Sequence, residues 1–247
     1  MVSLLGVCLL LFVAVGLSSN RAAIRLRTVL LAFGLQGGIG FVALWTDWGI
    51  AALAAASEYV AALLGYSRAG MEFIFGGLVG TSDSLGFVFA FNVLPVVIFF
   101  SSLIAVLYHA RVMQWMIRIL GGGLRKLLGT SHTESLSAAA NVFVGQAEAP
   151  LVARPYISSM TQSELFAVMV GGMASIAGSV MAGYVALGVP LEYLLAASFM
   201  AAPGGLLMAK LIEPEVDQPS EPSQGEKLAT EQYLSLIHIS EPTRQAT

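Results

Sequence analysis

The sequence predicts an all-α polytopic membrane protein, and three observations support this fold class. Hydrophobic residues make up 57% of the 247 positions and charged residues only 11%, whereas soluble domains carry about 25% charged residues. Apolar runs of about 20 residues, the length that a helix needs to cross a bilayer, recur along the chain. Asn141–Pro150 sets polar residues among glycine and proline inside such a region, which predicts interrupted helices.

Residues 1–110 contain the first apolar segments that approach the length of a span. These segments are Val2–Leu17, Thr28–Leu44 and Phe87–Tyr108. Gly49–Leu64 is rich in alanine and contains Glu58, which is more typical of an interfacial or bundle-packed helix. The glycine-rich Phe73–Gly80 is too short to cross and is interpreted as a re-entrant or surface segment. Asn92 and Pro95 predict a kink in the last of the three segments rather than a ligand site.

Residues 111–130 predict an amphipathic helix on the cytoplasmic surface of the membrane. Its basic side chains alternate with large apolar ones, and Gly121–Gly123 divides the run. A helix with one charged face and one apolar face lies in the plane of the membrane interface. The basic residues are Arg111, Arg118, Arg125 and Lys126.

Residues 131–155 predict a re-entrant helical hairpin that enters the membrane and returns to the same side. Both arms around Asn141–Pro150 are too short to span. An ionisable side chain such as Glu148 at membrane depth is by default a functional-site hypothesis. Free backbone groups at such a break are tolerated only inside protein or beside a water-filled cavity. Arg154 closes the segment, so entry and exit are both predicted to be cytoplasmic.

Two more helices are predicted, at residues 161–189 and 191–212. Thr161 and Glu164 form a T-x-x-E capping box at the start of the first helix, which gives Glu164 a structural role. Small residues along this helix would let another backbone approach closely. They are Gly171, Gly172, Ser175 and Gly178. The second helix is expected to be interrupted at Pro203-Gly204-Gly205 and to end at Lys210.

The distribution of basic residues predicts a multi-pass protein of the plasma (cytoplasmic or inner) membrane with its amino terminus outside. Only Arg68 falls on the outer side, whereas the cytoplasmic side receives most of the basic residues, including Lys210. Residues 213–233 are acidic and contain prolines, which predicts a disordered linker. Residues 234–247 resemble translated sequencing-adapter DNA, so they are interpreted as a non-native tail that replaces the rest of a longer chain.

Three blocks of this sequence resemble the concentrative nucleoside transporter family of the bacterial, sodium-coupled type. The blocks are NVFVGQAEAPLVARP, MTQSELFAVMVGGMASIAG and AASFMAAPGGLLMAKL. The resemblance implies a homotrimer in membrane lipid, without nucleic acid, that takes up nucleosides together with Na⁺. It also implies a scaffold built from residues 1–110 and a mobile transport domain of which residues 131–212 are a part. Substrate would then cross by an elevator-like movement of that domain.

The same resemblance assigns roles to individual residues. It places the nucleobase against the hairpin tip, at Gln146, Ala147, Glu148 and Val180. It places Na⁺ at the side-chain oxygens of Asn141 and Ser175 and at the backbone carbonyls of Val144 and Ile176. Ala147 departs from the family, in which a hydroxyl residue often occupies that position. Without the resemblance, Ser175 also fits a helix-packing serine and Asn141 the cap of a hairpin arm.

Three alternatives remain open at the level of the sequence. A proton-coupled nucleoside carrier would use Glu148 to take the proton. An intramembrane enzyme would need a nucleophile and base or a metal cluster, and no histidine or acid is placed to activate a serine near Glu148. An inactive transporter fragment follows if the chain ends at Thr247, because half of the binding site would be missing.

Overall fold

The computed structural model describes residues 2–82, 86–144, 149–176 and 178–217, and within these ranges the chain is predominantly helical. This confirms the predicted all-α fold class. The helices are α1 (Val2–Gly16), α2 (Leu26–Trp45), α3 (Asp47–Phe75), α4 (Phe89–Asn92), α5 (Leu94–His109), α6 (Val112–Leu128), α7 (His132–Ala140), α8 (Ala149–Ala153), α9 (Gln162–Ala174), α10 (Gly178–Ala186) and α11 (Leu191–Ile212). Two-residue strands, β1 (Thr81–Ser82) and β2 (Gly86–Phe87), pair antiparallel between α3 and α4.

Four helical segments of the described chain are long and apolar enough to cross a membrane. They are Leu26–Trp45, Asp47–Leu78, Phe89–His109 and Leu191–Ile212. Large apolar side chains on α1 and α2, such as Phe12 and Leu30, are exposed. Such a surface is stable against lipid rather than water.

Helix α3 corrects the prediction of a helix that ends at Leu64. It runs unbroken from Asp47 to Phe75, because neither its alanine-rich half nor its later half contains a proline. The Thr46 hydroxyl caps its start by accepting a hydrogen bond from the Gly49 N–H at 3.2 Å. The glycine-rich segment that follows is a short 3₁₀ turn, Gly76–Leu78.

Both ends of α3 lie toward the same end of the helix bundle. Gly40, near the end of α2, faces Met200 in the first half of α11, so α3 begins beside the start of α11. Met71, near the end of α3, packs against the first turns of α5. There Val93 lies against Gly183 of α10, and α10 shares an apolar cluster with the first turns of α11. This packing favours an interfacial or bundle-packed α3, although its length and composition would allow a span.

The predicted kink in the third apolar segment is a break between α4 and α5. The Asn92 side chain accepts a hydrogen bond from the Gly80 N–H at 2.6 Å and donates one to the Val88 carbonyl at 2.8 Å. These bonds fasten the β-hairpin connection to the start of α5. Asn92 therefore has the structural role that the sequence indicated.

Helix α6 confirms the predicted amphipathic pattern. Its buried residues recur every three or four positions and are Met113, Ile117, Gly121, Leu124 and Leu128. Gly121 allows α7 to approach closely, since a Cβ atom there would lie 3.2 Å from the Leu136 Cα. Trp115 and Ile119 are exposed, as expected for a helix that lies at a lipid interface.

Helix α11 corrects the predicted interruption at Pro203-Gly204-Gly205. The helix continues through Pro203 to Ile212. Pro203 removes one backbone hydrogen bond, but membrane helices tolerate proline where neighbouring helices pack closely. Gly204 faces Gln36 of α2, and Gly205 lies within van der Waals distance of Gly171 of α9. The glycines here serve helix contact rather than helix termination.

Candidate functional site

The predicted re-entrant hairpin consists of α7 and α8. The His132 ring at the start of α7 and the Tyr156 ring just after α8 meet edge to face, with centroids 6.3 Å apart. Entry and exit are therefore side by side, and the chain reverses between Asn141 and Ala149. The reversal contains three of the predicted nucleobase residues, Gln146, Ala147 and Glu148, which lie outside the described residues.

Helix α7 begins with a capping box that the sequence analysis did not identify. The Glu134 N–H donates to the Ser131 hydroxyl at 3.3 Å, and the Ser131 N–H donates to the Glu134 carboxylate at 2.7 Å. Every residue from Thr133 to Ala140 is buried. A helix that is buried all round is held by protein on each face, so the end of α7 is a fixed position.

Helix α9 corrects the prediction of one helix over residues 161–189. Its capping box at Thr161 and Glu164 forms as predicted, with N–H···O distances of 3.2 and 2.9 Å. The helix then ends at Ala174, Ser175 adopts an extended conformation at φ −104° and ψ 155°, and α10 begins at Gly178. Packing sets this break, since the residues next to Ser175 include no proline.

The structure brings Asn141 onto the face of α9 that carries Ser175. A Cβ atom at Gly171 would lie 2.9 Å from the Asn141 Nδ2, so glycine there leaves room for the amide. Ser175 is one turn beyond Gly171 on the same face, about 6 Å along the helix axis. Asn141 is 1% exposed. Within the described chain, its amide nitrogen and oxygen and the Ser175 hydroxyl make no hydrogen bond.

The remaining predicted residues lie around this pair with different exposure. Val144 is fully buried, and its N–H donates to the Ala140 carbonyl at 3.0 Å. Ile176 is half-buried against Met181 of α10 and its apolar neighbours. Val180 is exposed, on α10 beyond the break. Asn141 and Val144 thus follow the end of α7, and Ser175 and Ile176 follow the end of α9.

These two helix ends have the chemistry that a monovalent cation needs. The C-terminal end of a helix carries partial negative charge, although at α7 the Ser137, Ala139 and Ala140 carbonyls already accept hydrogen bonds from residues 141–144. Both α7 and α9 end here, beside the orphaned oxygens of Asn141 and Ser175. Broken helices in transporters hold sodium through such carbonyl and side-chain oxygens. The donor set fits Na⁺.

A second polar cluster, which the sequence analysis missed, lies at the opposite end of α7. The Lys210 ammonium is 2.7 Å from the Glu134 carboxylate and 3.2 Å from the Glu215 carboxylate. It also donates to the Ser163 hydroxyl of α9 at 2.9 Å. Lys210 is 8% exposed. It is therefore a buried ion-pair partner rather than the solvent-facing cytoplasmic charge that the sequence predicted.

The start of the predicted disordered linker belongs to this second cluster. The Glu213 carbonyl accepts a hydrogen bond from Ser163 at 2.6 Å. Glu215 accepts one from the Thr161 hydroxyl at 3.0 Å and another from Lys210 at 3.2 Å. Glu213 and Glu215 are thus fastened to the start of α9 and to Lys210 near the end of α11, whereas the rest of the linker and the predicted non-native tail lie outside the described residues.

Burial sets the electrostatics of Glu134, which lies in the first turn of α7 and outside the four candidate spans. Desolvation raises the pKa of its carboxyl above the ordinary value, and the Lys210 ammonium opposes that rise. The S-x-x-E pattern at Ser131 could have identified the capping box from sequence. No local pattern could have paired Glu134 with Lys210.

Two family models match the chain. The N-terminal domain of Na⁺ dependent nucleoside transporters matches residues 5–78. The Gate domain, described as nucleoside recognition, matches residues 90–191. Together the two matches include α1 to α10, with the hairpin and both sides of the break at Ser175.

Curated relatives are similar over most of this chain. An uncharacterized transporter of Haemophilus influenzae is 58% identical over 87% of this chain and 52% of its own length. Nucleoside permease NupC of Helicobacter pylori is 49% identical over 86% of this chain and 52% of its own length. Sodium/nucleoside cotransporter 1 of Homo sapiens is 41% identical over 88% of this chain and 33% of its own length. The chain spans about half the length of its bacterial relatives.

Solved structures match the same architecture. CNTnw in an inward-facing substrate-bound state has a TM-score of 0.86 and 51% identity, over 95% of this chain and 59% of that chain. CNTnw in an outward-facing state has a TM-score of 0.84.

A helical membrane protein with four candidate spans, a break between α9 and α10 and buried polar groups without hydrogen bonds in the described chain fits the architecture of a membrane transporter. The matches define which one: the chain belongs to the concentrative nucleoside transporter family. That family consists of transporters and not of enzymes, which removes the intramembrane enzyme from the alternatives.

Proposed function

We propose that this chain is the N-terminal part of a transporter that takes up nucleosides together with Na⁺. The observation that carries the proposal is the pair formed by Asn141 and Ser175, which follow the ends of α7 and α9 and whose buried side-chain oxygens make no hydrogen bond within the described chain. The names of the relatives, a nucleoside permease and a sodium/nucleoside cotransporter, supply the substrate class and the coupling ion.

Na⁺ is a co-transported substrate in this proposal. The side chains of Asn141 and Ser175 and the backbone carbonyls of Val144 and Ile176 would bind it. All four residues lie within four positions of a helix end, where backbone carbonyls can turn toward a cation. The absence of a carboxylate from this set suits a monovalent ion that must leave as readily as it binds.

The nucleobase would bind at the hairpin tip. Gln146 offers an amide donor and acceptor, and Glu148 accepts hydrogen bonds from ring or exocyclic N–H groups. Val180 would give the base an apolar surface, which its exposure on α10 supports. Ala147 supplies no hydroxyl, so this chain would make one contact fewer with the base than relatives with a hydroxyl residue at that position.

The proposed orientation places the amino terminus outside the plasma membrane. The Thr28 hydroxyl at the start of α2 donates to the Leu128 carbonyl at the end of α6, and the Ser19 N–H donates to the Ile212 carbonyl. The basic residues near Arg21 and Lys126 therefore share one end of the bundle. The positive-inside rule makes that end cytoplasmic.

The proposed mechanism is elevator-like movement within a homotrimer. Residues 1–110 would form the static scaffold, and residues 131–212 would move as part of the transport domain. Contact between α2 and α11 would then be the sliding surface. Gly40 of α2 leaves room for the Met200 side chain of α11, and Gly204 of α11 leaves room for the Gln36 side chain of α2.

The test uses a chimera that follows this chain to Ile212 and continues with the C-terminal part of the Haemophilus influenzae relative. Uptake of [³H]uridine by vesicles that contain the chimera is measured in NaCl or in choline chloride. We expect uptake that requires NaCl and falls at least tenfold for Asn141→Ala. Uptake that survives in choline chloride but collapses without a pH gradient would assign a proton-coupled carrier instead.

A matched measurement on the chain alone addresses the inactive-fragment alternative. This chain covers about half of the length of its bacterial relatives, so we expect no uptake by this polypeptide alone. Uptake by the chain alone would mean that a functional transporter needs only this half. No uptake by a chimera that reaches the membrane at the parent level would contradict the proposal.

A further inference from the structure

The inference concerns Lys210, the buried lysine near the end of α11. Its ammonium uses all three of its hydrogens: toward Glu134 of α7 at 2.7 Å, toward Ser163 of α9 at 2.9 Å and toward Glu215 at 3.2 Å. An ammonium has only these three donors and no acceptor. One side chain therefore joins three separate segments of the chain.

Two of those segments are the first turns of the helices that end at the proposed sodium site. Glu134 and Ser163 each lie within the first three residues of their helix. Capping boxes at Ser131 and Thr161 fix the conformation of both turns. The ammonium thus fixes one helix start against the other.

Because α7 and α9 are rigid helices, the relative position of their starts also sets the relative position of their ends. Asn141 is ten residues beyond Ser131, about 15 Å along the axis, and Ser175 is fourteen beyond Thr161, about 21 Å. Residues Thr133–Ala140 are buried throughout, so α7 is held along its length. A shift at the Lys210 end would move Asn141 past the Gly171 face of α9.

We propose that Lys210 is a positioning residue for cation binding: it sets the register of α7 against α9 and so the separation of the Asn141 and Ser175 oxygens. This inference rests on the proposed sodium site. A buried ion pair is weak support for stability, because an apolar residue of similar volume often serves as well. Buried polar contacts do specify register in other helical assemblies, which is the role that the geometry gives Lys210.

The buried carboxylates around Lys210 favour a single alignment of α7, α9 and α11. Glu134, Glu164 and Glu215 all lie at the first turns of α7 and α9 or beside them, and Lys210 is the cation among them. The Glu164 carboxylate is occupied by the Thr161 N–H. A displaced ammonium would leave buried carboxylates without a partner, so only one alignment of the three segments satisfies the cluster.

The test measures sodium directly and does not depend on uptake. The purified chimera is heated in NaCl or in choline chloride, and the rise in Tm with NaCl reports cation binding. The variants are Lys210→Met, Lys210→Arg and Ser163→Ala, and the control is Lys126→Met at the exposed lysine of α6. Ser163→Ala keeps the ion pair with Glu134 and removes the direct bond between Lys210 and α9 together with the bond to the Glu213 carbonyl, so it stays informative if Lys210→Met does not fold.

We expect the NaCl concentration for half of the Tm rise to increase at least tenfold for Lys210→Met and at least threefold for Ser163→Ala. Lys210→Arg should lie between Lys210→Met and the parent, and Lys126→Met should match the parent. In uptake, the sodium half-saturation should shift while the uridine KM at saturating NaCl stays within twofold of the parent.

Two results would overturn the inference. The first is a lower Tm in Lys210→Met and Ser163→Ala with unchanged sodium half-saturation, which would make the cluster purely structural. The second is a parent chimera whose Tm does not respond to NaCl, which would remove the site being positioned. A parent chimera that binds sodium but takes up no nucleoside would contradict the proposed transport function. The Tm comparison of the variants would still test the positioning role of Lys210.

Discussion

The two ends of α7 hold polar side chains of similar burial but opposite bonding. At its start, Glu134 is 2% exposed and is paired with Lys210 and with the Ser131 N–H. At its end, Asn141 is 1% exposed, and neither atom of its amide makes a hydrogen bond within the described chain. Six helical residues, from Ser135 to Ala140, separate the bonded polar group from the orphaned one.

This difference separates the polar residues that build the fold from those that serve a ligand. A buried polar group without a partner costs about 1–3 kcal/mol, and the fold tolerates that cost at Asn141 and Ser175. At Glu134 the chain supplies a capping-box N–H for one carboxylate oxygen and the Lys210 ammonium, 2.7 Å away, for the other. We therefore predict that the unbonded amide of Asn141, at the end of α7, serves a bound cation.

The largest effect on stability is expected at the bonded end. Lys210→Met removes the ammonium and leaves Glu134 and Glu215 buried without their cation. Breaking such a pair costs about 3–5 kcal/mol, so the free energy of unfolding should fall by that amount. Thermal unfolding of the chimera in choline chloride measures it, with Lys126→Met as the matched control. An unchanged Tm would contradict the view that this end holds the fold.

The largest effect on sodium binding is expected at the orphaned end. Asn141→Leu replaces the amide by an apolar group of similar size, which removes the proposed ligand together with its desolvation cost. Sodium affinity should fall at least a hundredfold, which corresponds to about 2.7 kcal/mol. The free energy of unfolding in choline chloride should stay within about 1 kcal/mol of the parent. A large loss of stability would assign Asn141 to the fold instead.

The sequence predicted the parts of this architecture that depend on local pattern. The amphipathic α6 follows from the spacing of apolar residues, and the hairpin follows from polar residues set between short apolar arms. The break at Ser175 was missed because its neighbours, Ala174 and Ile176, are ordinary helix residues and packing ends the helix there. At Pro203 the sequence predicted an interruption that the structure does not have. The helix continues there, where the neighbouring Gly204 and Gly205 contact α2 and α9 closely.

The ion cluster around Lys210 could not be predicted from the sequence, because it also depends on tertiary packing. Lys210 ends an apolar run, so it matches the basic flank of a span. Its partners lie on two other helices and in the segment after α11. Only the packing of α7, α9 and α11 brings them together. Of the candidate site, the residue types were predictable by resemblance, whereas the contact between Asn141 and Gly171 required the fold.

A smaller effect is expected where the two helices touch. Gly171→Ala places a methyl group 2.9 Å from the Asn141 Nδ2, so the amide must move by several tenths of an ångström. We expect about a tenfold loss of sodium affinity, or about 1.4 kcal/mol, with little change in unfolding in choline chloride. Gly172→Ala at the neighbouring position is the control, and an equal loss of affinity there would show that the effect is not specific to Asn141.

The smallest expected effect is a difference between the parent and Glu134→Gln in how stability depends on pH. Burial raises the pKa of the Glu134 carboxyl above its ordinary value, so its contribution to stability is complete below the pKa of the unfolded state and is lost as the pH rises through the pKa of the folded state. Glu134→Gln cannot titrate. The stability of the parent relative to Glu134→Gln should therefore increase as the pH is lowered from about 7 to about 5. Parallel Tm curves for the two proteins would mean that Lys210 holds the carboxylate charged across this range, which would make the ion pair stronger than the cost of burying it.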